Sequence, residues 1–305
     1  MNIDLTDTTA AKIGSALAEA RAREGAPTTG AVLTLVIATD ERGNDAAMTA
    51  ACEAARAHPC RILSVIPRAP SAAVRLDAEI RASGPGERVV LRLYGSLGEH
   101  ADSVVLPLLL PDTPVVVCWP DAAPDAPAES VLGRLASRRV TDAAAATKAL
   151  GALEQRGRSY RPGDTDFAWT RLTPWRATLA AAMDHPYDDI ETIEVAAAKG
   201  NPSAPLLAAW LSSRLGVPAA VRNSRGPGIT GVSLNTLSGP IELTRPDGRR
   251  ATLSRPGRPD RMVALVRRST ADCLGEELRR LDPDEPYSEA LHLLSTVGHA
   301  KSASR

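Results

Sequence analysis

Three short apolar runs constrain the fold of this chain more than any other feature. Ala31–Ala38, Cys60–Ile66 and Val115–Cys118 are dominated by apolar, largely β-branched residues. A strand with one wet face alternates apolar and polar residues, whereas a strand covered on both faces need not. Each run therefore reads as a strand inside a sheet with helices on both sides. Asn44–Ala57 reads as a helix between the first two runs. That spacing is a βαβ unit, and the fold class it predicts is α/β.

The rest of the first half is consistent with that frame. Residues 1–30 are Ala-rich, with Leu5, Ile13 and Leu17 near helical spacing, and end in a Gly-Ala-Pro-Thr-Thr-Gly break. In Val74–Arg81, apolar Val74, Leu76, Ala78 and Ile80 alternate with charged Arg75, Asp77, Glu79 and Arg81. Ser83-Gly84-Pro85-Gly86 then turns the chain into Val89–Leu93, which predicts a hairpin. Ala101–Leu110 reads as a helix and Pro120–Pro127 as a loop. Residues 128–156 read as mostly helical, with an exposed turn at Arg138-Arg139. Residues 1–157 are thus expected to form a three-layer α/β domain with a mixed sheet.

A second domain, 158–305, is expected to follow the Gly/Pro-containing segment Gly157–Asp164. Thr173 before Pro174 reads as a hydroxyl N-cap followed by proline at the first helical position. That helix should run to about Asp184, before His185-Pro186. Ile190–Ala196 reads as a strand, and Ser203–Leu215 as a helix closed by Gly216. From Val217 to Val266 the pattern is short alternating strands, with a hairpin turn at Asp247-Gly248. Helices at Ser269–Leu281 and Tyr287–Leu294 follow, then a frayed tail over 298–305. The second domain is read as α+β with an antiparallel sheet.

Charge and composition exclude several functions. Lys+Arg and Asp+Glu both number 36, so no whole-molecule field favours nucleic acid or a membrane. The most apolar window, Val104–Trp119, is interrupted by Pro107, Pro111 and Pro114 and is short for a bilayer span. The start, Met1–Leu5, lacks a basic region and an apolar core, so no secretory signal and a cytoplasmic location are expected. Cys52, Cys60, Cys118 and Cys273 are scattered, which predicts buried apolar thiols rather than a zinc site. The five His show no metal-ligand spacing.

Two glycine- and arginine-rich features need weighing. Gly226-Pro-Gly-Ile-Thr-Gly231 matches G-x-G-x-x-G, but a dinucleotide loop must open a helix whose amides face the pyrophosphate. Here the loop leads into a β-like segment, so no cofactor site is assigned to it. Between Arg222 and Arg268 lie ten Arg and no Lys. This region can hold a phosphate, face an acidic partner or form a solvated strand face. It has no aromatic residues that could stack on bases. Asp282, Asp284 and Glu285 lack calcium-loop spacing and read as an N-cap or a solvated turn.

The segment Asp164–Arg176 concentrates the chemistry of the chain. It holds two of the four Trp, the only Phe, two carboxylates and two Arg in a protein that is 3% aromatic. Trp and Arg anchor protein interfaces, but buried indoles also dominate cores. Asp164, Asp166, Trp169, Arg171, Trp175 and Arg176 are the candidate partner-binding residues. Trp169 is expected to have a structural part. Trp175 and Arg176, in the first helical turn, are expected near solvent.

Asp-x-x-Trp-x-Arg-Leu-x-Pro-Trp-Arg resembles the signature of the glucose-6-phosphate dehydrogenase assembly proteins, the OpcA family. Arg75–Ile80, Ser103–Asp112, Ala208–Gly216 and Tyr287–Leu291 are also similar to that family, in the same order. The resemblance implies a non-enzymatic accessory protein that binds glucose-6-phosphate dehydrogenase and promotes its assembly or activity. It implies no cofactor, since NADP and glucose 6-phosphate would belong to the partner. The alternative is a small-ligand-binding α/β protein, or an enzyme acting on a sugar phosphate or nucleotide at the strand ends.

Overall fold

The computed structural model describes residues 2–24, 30–81, 86–184 and 187–302. The expected breaks at 25–29 and 83–85, His185-Pro186 and the tail end at 303–305 lie outside the described residues. The chain divides into two compact units. Met1–Asp142, Arg161–Thr165 and Thr270–Pro283 form the first; Ala143–Tyr160, Asp166–Ser269 and Asp284–Arg305 form the second. The chain therefore passes between these units several times.

The first unit begins with β1 (Asn2–Leu5), α1 (Ala10–Glu24), β2 (Leu33–Ala38), α2 (Asn44–Ala55) and β3 (Cys60–Arg68). β4 (Arg75–Arg81), β5 (Arg88–Tyr94), α3 (Ala101–Val105), β6 (Val115–Trp119) and β7 (Arg138–Thr141) follow. After α4 (Ala149–Ser159), β8 (Asp164–Asp166) completes an eight-stranded sheet of order β1-β4-β5-β3-β2-β6-β7-β8. β2, β3, β5, β6 and β7 run parallel, while β1–β4 and β4–β5 are antiparallel pairs. The expected mixed sheet and the β4–β5 hairpin are both present.

The apolar runs form strands because both of their faces are covered. Val36 and Leu63 point to the side where Ile13 and Leu17 of α1 pack. On the other side Ser64 of β3 donates to Asn44 of α2 at 2.7 Å. That contact satisfies a buried hydroxyl and ties the crossover helix to the strand.

The stretch 128–156 corrects the sequence expectation. It is α-helical only from Ala149, with short 3-10 turns at Gly133–Leu135 and Ala143–Ala145 before it, and Arg138-Arg139 begins a buried strand rather than an exposed turn. Arg138 is 1% exposed. Its Nε donates to Glu277 at 2.8 Å and its Nη1 to the carbonyl of Asp282 at 2.8 Å. Arg139 is paired with Asp164. Both carboxylates come from distant parts of the chain, so the local pattern gave no sign of them.

The second unit continues with α5 (Phe167–Thr170), α6 (Thr173–Met183), β9 (Ile190–Ala197), α7 (Ser203–Leu215) and β10 (Ala219–Asn223). β11 (Ile229–Thr236), β12 (Ile241–Thr244), β13 (Arg250–Arg255) and β14 (Arg258–Ala264) complete a second sheet of order β10-β9-β11-β12-β13-β14. It is mixed: β9 and β10 are parallel across α7, and the other pairs are antiparallel. Gly216 closes α7 at φ 70°, a left-handed conformation that glycine adopts without strain. α8 (Thr270–Arg279) returns to the first unit beside α2, and α9 (Glu285–Ser302) packs against α7 and α4 in the second. α9 runs on through the first part of the expected tail.

Candidate functional site

The signature is mostly interior. Asp166 is 0% exposed and caps α5: Oδ1 accepts from the Ala168 amide at 2.8 Å and Oδ2 from the Ala143 amide at 2.9 Å. A buried carboxylate is tolerable when backbone donors satisfy it. Asp164 is held by Arg139 and by the Arg161 amide at 2.8 Å. These two acids hold backbone in place.

Trp169 is 1% exposed. Its indole N–H donates to Asp284 at 2.9 Å, and its ring lies 5.8 Å from that of Tyr287. The guanidinium carbon of Arg176 sits 3.9 Å from the Trp169 ring centroid, within cation–π range. Arg176 also donates to the Thr173 hydroxyl at 3.2 Å. α6 begins at Thr173 with Leu172 at the cap position and no capping side chain, so Thr173 is not the cap and Pro174 takes the second helical position rather than the first. Trp175 is 2% exposed, which corrects its expected place near solvent. α6 follows α5 directly, so Trp175 turns into the core with Leu172 and Leu179. Of the six candidate partner-binding residues, Arg171 and Arg176 are the half-buried ones.

A cavity of about 60 Å³ opens beside the signature, lined by Arg171, Trp175, Gly228, Arg245, Arg267 and Arg268. No Asp or Glu lines it. Arg245 is 4% exposed; it donates to the carbonyls of Leu265 at 2.9 Å and Ile229 at 3.0 Å and lies 4.8 Å over Trp175. Burial, with the nearby Arg267 charge, pulls the Arg245 guanidinium down to about 10, against a counteracting pull from Asp247. Arg268 is aimed by a 2.9 Å bond to the carbonyl of Thr170. The excess of Arg over Lys was the sequence signal for this cluster; its convergence with Arg171 was not visible there. Other members of the Arg-rich stretch, such as Arg258 and Arg261, are exposed on β14.

In the first unit a second crevice, of about 350 Å³, lies at the strand ends, where β2 is flanked by β3 and β6. Open α/β sheets bind ligands at such a switch point. Here Asp40 and Asp121 line it. Asp40 accepts the Gly43 amide at 2.8 Å, so a carboxylate stands where a pyrophosphate would need amides. A Cβ at Gly43 would collide with the Asp121 carboxylate, which Thr39 also holds at 2.9 Å. The G-x-G-x-x-G segment in the second unit leads into β11, not into a helix. Among the described residues no cluster of three His, Cys, Asp or Glu is arranged for a metal, and no helix is long and apolar enough to cross a membrane.

Fold and site together define a two-unit α/β protein with a buried aromatic signature and an arginine-lined cavity. Solved structures of similar fold are KijD10, a 3-ketoreductase from Actinomadura kijaniata in complex with NADP and TDP-benzene, and a single-residue mutant of that enzyme. The first has a TM-score of 0.50 and 12% identity, over 87% of this chain and 96% of that one. The mutant has a TM-score of 0.50 and 10% identity, over 88% and 97%. At such identity the likeness is one of fold alone. No curated protein matches the chain in sequence. The chain belongs to the OpcA family: residues 51–158 match the glucose-6-phosphate dehydrogenase subunit N-terminal domain and residues 162–291 the C-terminal domain.

Proposed function

We propose that this protein is a non-enzymatic accessory of glucose-6-phosphate dehydrogenase that binds the enzyme and promotes its assembly or active state. The observation that carries this is the pair of family domains, in order, over residues 51–158 and 162–291. In this role it acts in the cytoplasm, in the oxidative pentose phosphate pathway, and NADP and glucose 6-phosphate belong to the partner. The carboxylate-lined crevice of the first unit supports an accessory role, because Asp40 takes the amide a nucleotide phosphate would use.

An activator must bind the active or assembled form more tightly than the inactive one. A tenfold shift needs a difference of about 1.4 kcal/mol, within reach of two or three contacts. Within the signature we assign the contact to the guanidinium ends of Arg171 and Arg176. Asp164, Asp166, Trp169 and Trp175 act as the rigid backing that aims them. The test is size-exclusion chromatography of the purified protein with the dehydrogenase from the same organism. Co-elution at micromolar concentration is expected, and separate elution contradicts the proposal.

A further inference from the structure

We propose that the second unit binds the phosphate group of a small phosphate monoester in the cavity formed by Arg171, Arg245, Arg267 and Arg268. Three observations converge on this. The first is charge. Four guanidinium groups line one cavity with no carboxylate in its wall. Arg267 has no ion-pair partner among the described residues. The Arg267 charge works against the charge on Arg245, and a dianion between them would reverse that effect.

The second is a buried donor left over. Arg245 spends both terminal nitrogens on backbone carbonyls, yet its Nε–H is buried with no hydrogen-bond partner. A buried cationic donor without an acceptor costs stability, so an acceptor brought beside Arg245, from an anion or a water, is favoured. Burial first, and the Arg267 charge second, depress the proton affinity of Arg245, and a bound anion would lift it.

The third is shape. By this measure one water needs roughly 10–15 Å³, so a cavity of about 60 Å³ admits one tetrahedral oxyanion rather than a nucleotide. Guanidinium forks match phosphate oxygens in pairs, which fits arginine better than lysine. Gly228, at φ +72°, brings bare backbone to the wall: an added Cβ would lie 3.8 Å from Arg245 and Arg267. The start of α7 borders the cavity through Asn201 and Ser203. Asn201 already accepts the Ser203 and Ala204 amides at 2.9 and 3.2 Å, so the helix lends its dipole and the arginines supply the hydrogen bonds. With Trp175 buried under Arg245, no exposed ring is offered to a base, which sets this site apart from a nucleic-acid surface.

The site shares Arg171 with the proposed dehydrogenase contact, but Arg245, Arg267 and Arg268 lie outside the signature, so a phosphate test at Arg267 can fail or succeed separately from that role. The experiment is calorimetry and thermal melting of the full chain with inorganic phosphate, and with glycerol 3-phosphate against glycerol, at matched ionic strength. Phosphate and glycerol 3-phosphate should bind saturably and raise the Tm, and glycerol should do neither. Arg267→Ala, at an exposed position, should keep the fold and weaken phosphate binding about tenfold. Arg258→Ala, on exposed β14 away from the cavity, should bind like the parent. The proposal is overturned if phosphate acts no differently from chloride, or if the two variants bind alike. Binding of inorganic phosphate but not of glycerol 3-phosphate would overturn the monoester assignment.

Discussion

Trp169 and Asp284 lie 115 positions apart and meet through a 2.9 Å hydrogen bond from indole to carboxylate. The other oxygen of Asp284 accepts the Tyr287 amide at 3.0 Å, so one side chain caps α9 and fastens the signature tryptophan to it. Trp169→Phe keeps an aromatic ring, leaves a small void where the larger indole packed, and leaves Asp284 short of a donor. It should cost about 1–3 kcal/mol, against roughly 3–5 kcal/mol for Trp169→Ala. Urea melts of both variants, with Asp284→Ala to close a double-mutant cycle, measure the coupling. A coupling near zero contradicts the fastening.

Trp175 and Arg176 are neighbours with opposite expectations. Trp175 is buried under Arg245, so Trp175→Ala should destabilise the protein by about 3–5 kcal/mol. Arg176 is half-buried above Trp169, and Arg176→Ala should cost about 1–2 kcal/mol, between the values of an exposed and a desolvated cation–π contact. If Arg176 also meets the dehydrogenase, its variant should lose affinity well beyond that stability change. Melts and binding isotherms on the same preparations separate the two. Normal binding by folded Arg176→Ala removes it from the contact.

The buried pair Arg138–Glu277 predicts an asymmetry. Removing one partner strands the other charge away from water, so Arg138→Met or Glu277→Leu alone should cost about 3–5 kcal/mol. The double variant should recover much of that loss, because two apolar side chains can fill the same volume. Denaturant midpoints of the three variants check this, and strictly additive losses would count against it.

Cysteine chemistry should follow burial. Desolvation pushes the Cys60 thiol up to about 12, with the neighbouring Cys52 adding to it, so Cys60 stays protonated at neutral pH. Cys118 and Cys273 are also buried, and Cys52 is half-exposed. In the native protein iodoacetamide should mark Cys52 first and leave Cys60 unmodified. Mass spectrometry reads this directly, and equal labelling of Cys52 and Cys60 contradicts it.

Much of the fold was legible in the residues because short-range physics wrote it. Runs such as Leu33–Ala38 can be stable only when both faces are covered, and Gly216 marks its helix end by conformation alone. What escaped was set by partners distant in sequence. Arg138-Arg139 reads as solvated until Glu277 and Asp164 are known. β1 is four residues with partial burial, and only its pairing with β4 makes it a strand. The β9–β10 pair reads as part of an antiparallel sheet until the intervening α7 is seen as its crossover. Likewise the signature announced itself by composition, whereas its burial, and the convergence of Arg171 with Arg245, Arg267 and Arg268, needed the tertiary fold.

The most direct measurement is a titration of glucose-6-phosphate dehydrogenase with this protein, reading enzyme activity and oligomeric state together. We expect saturable activation or assembly at a fixed stoichiometry, weakened by Arg171→Ala plus Arg176→Ala in a variant that melts near the parent. An unchanged rate and an unchanged oligomer at saturating protein would contradict the accessory role.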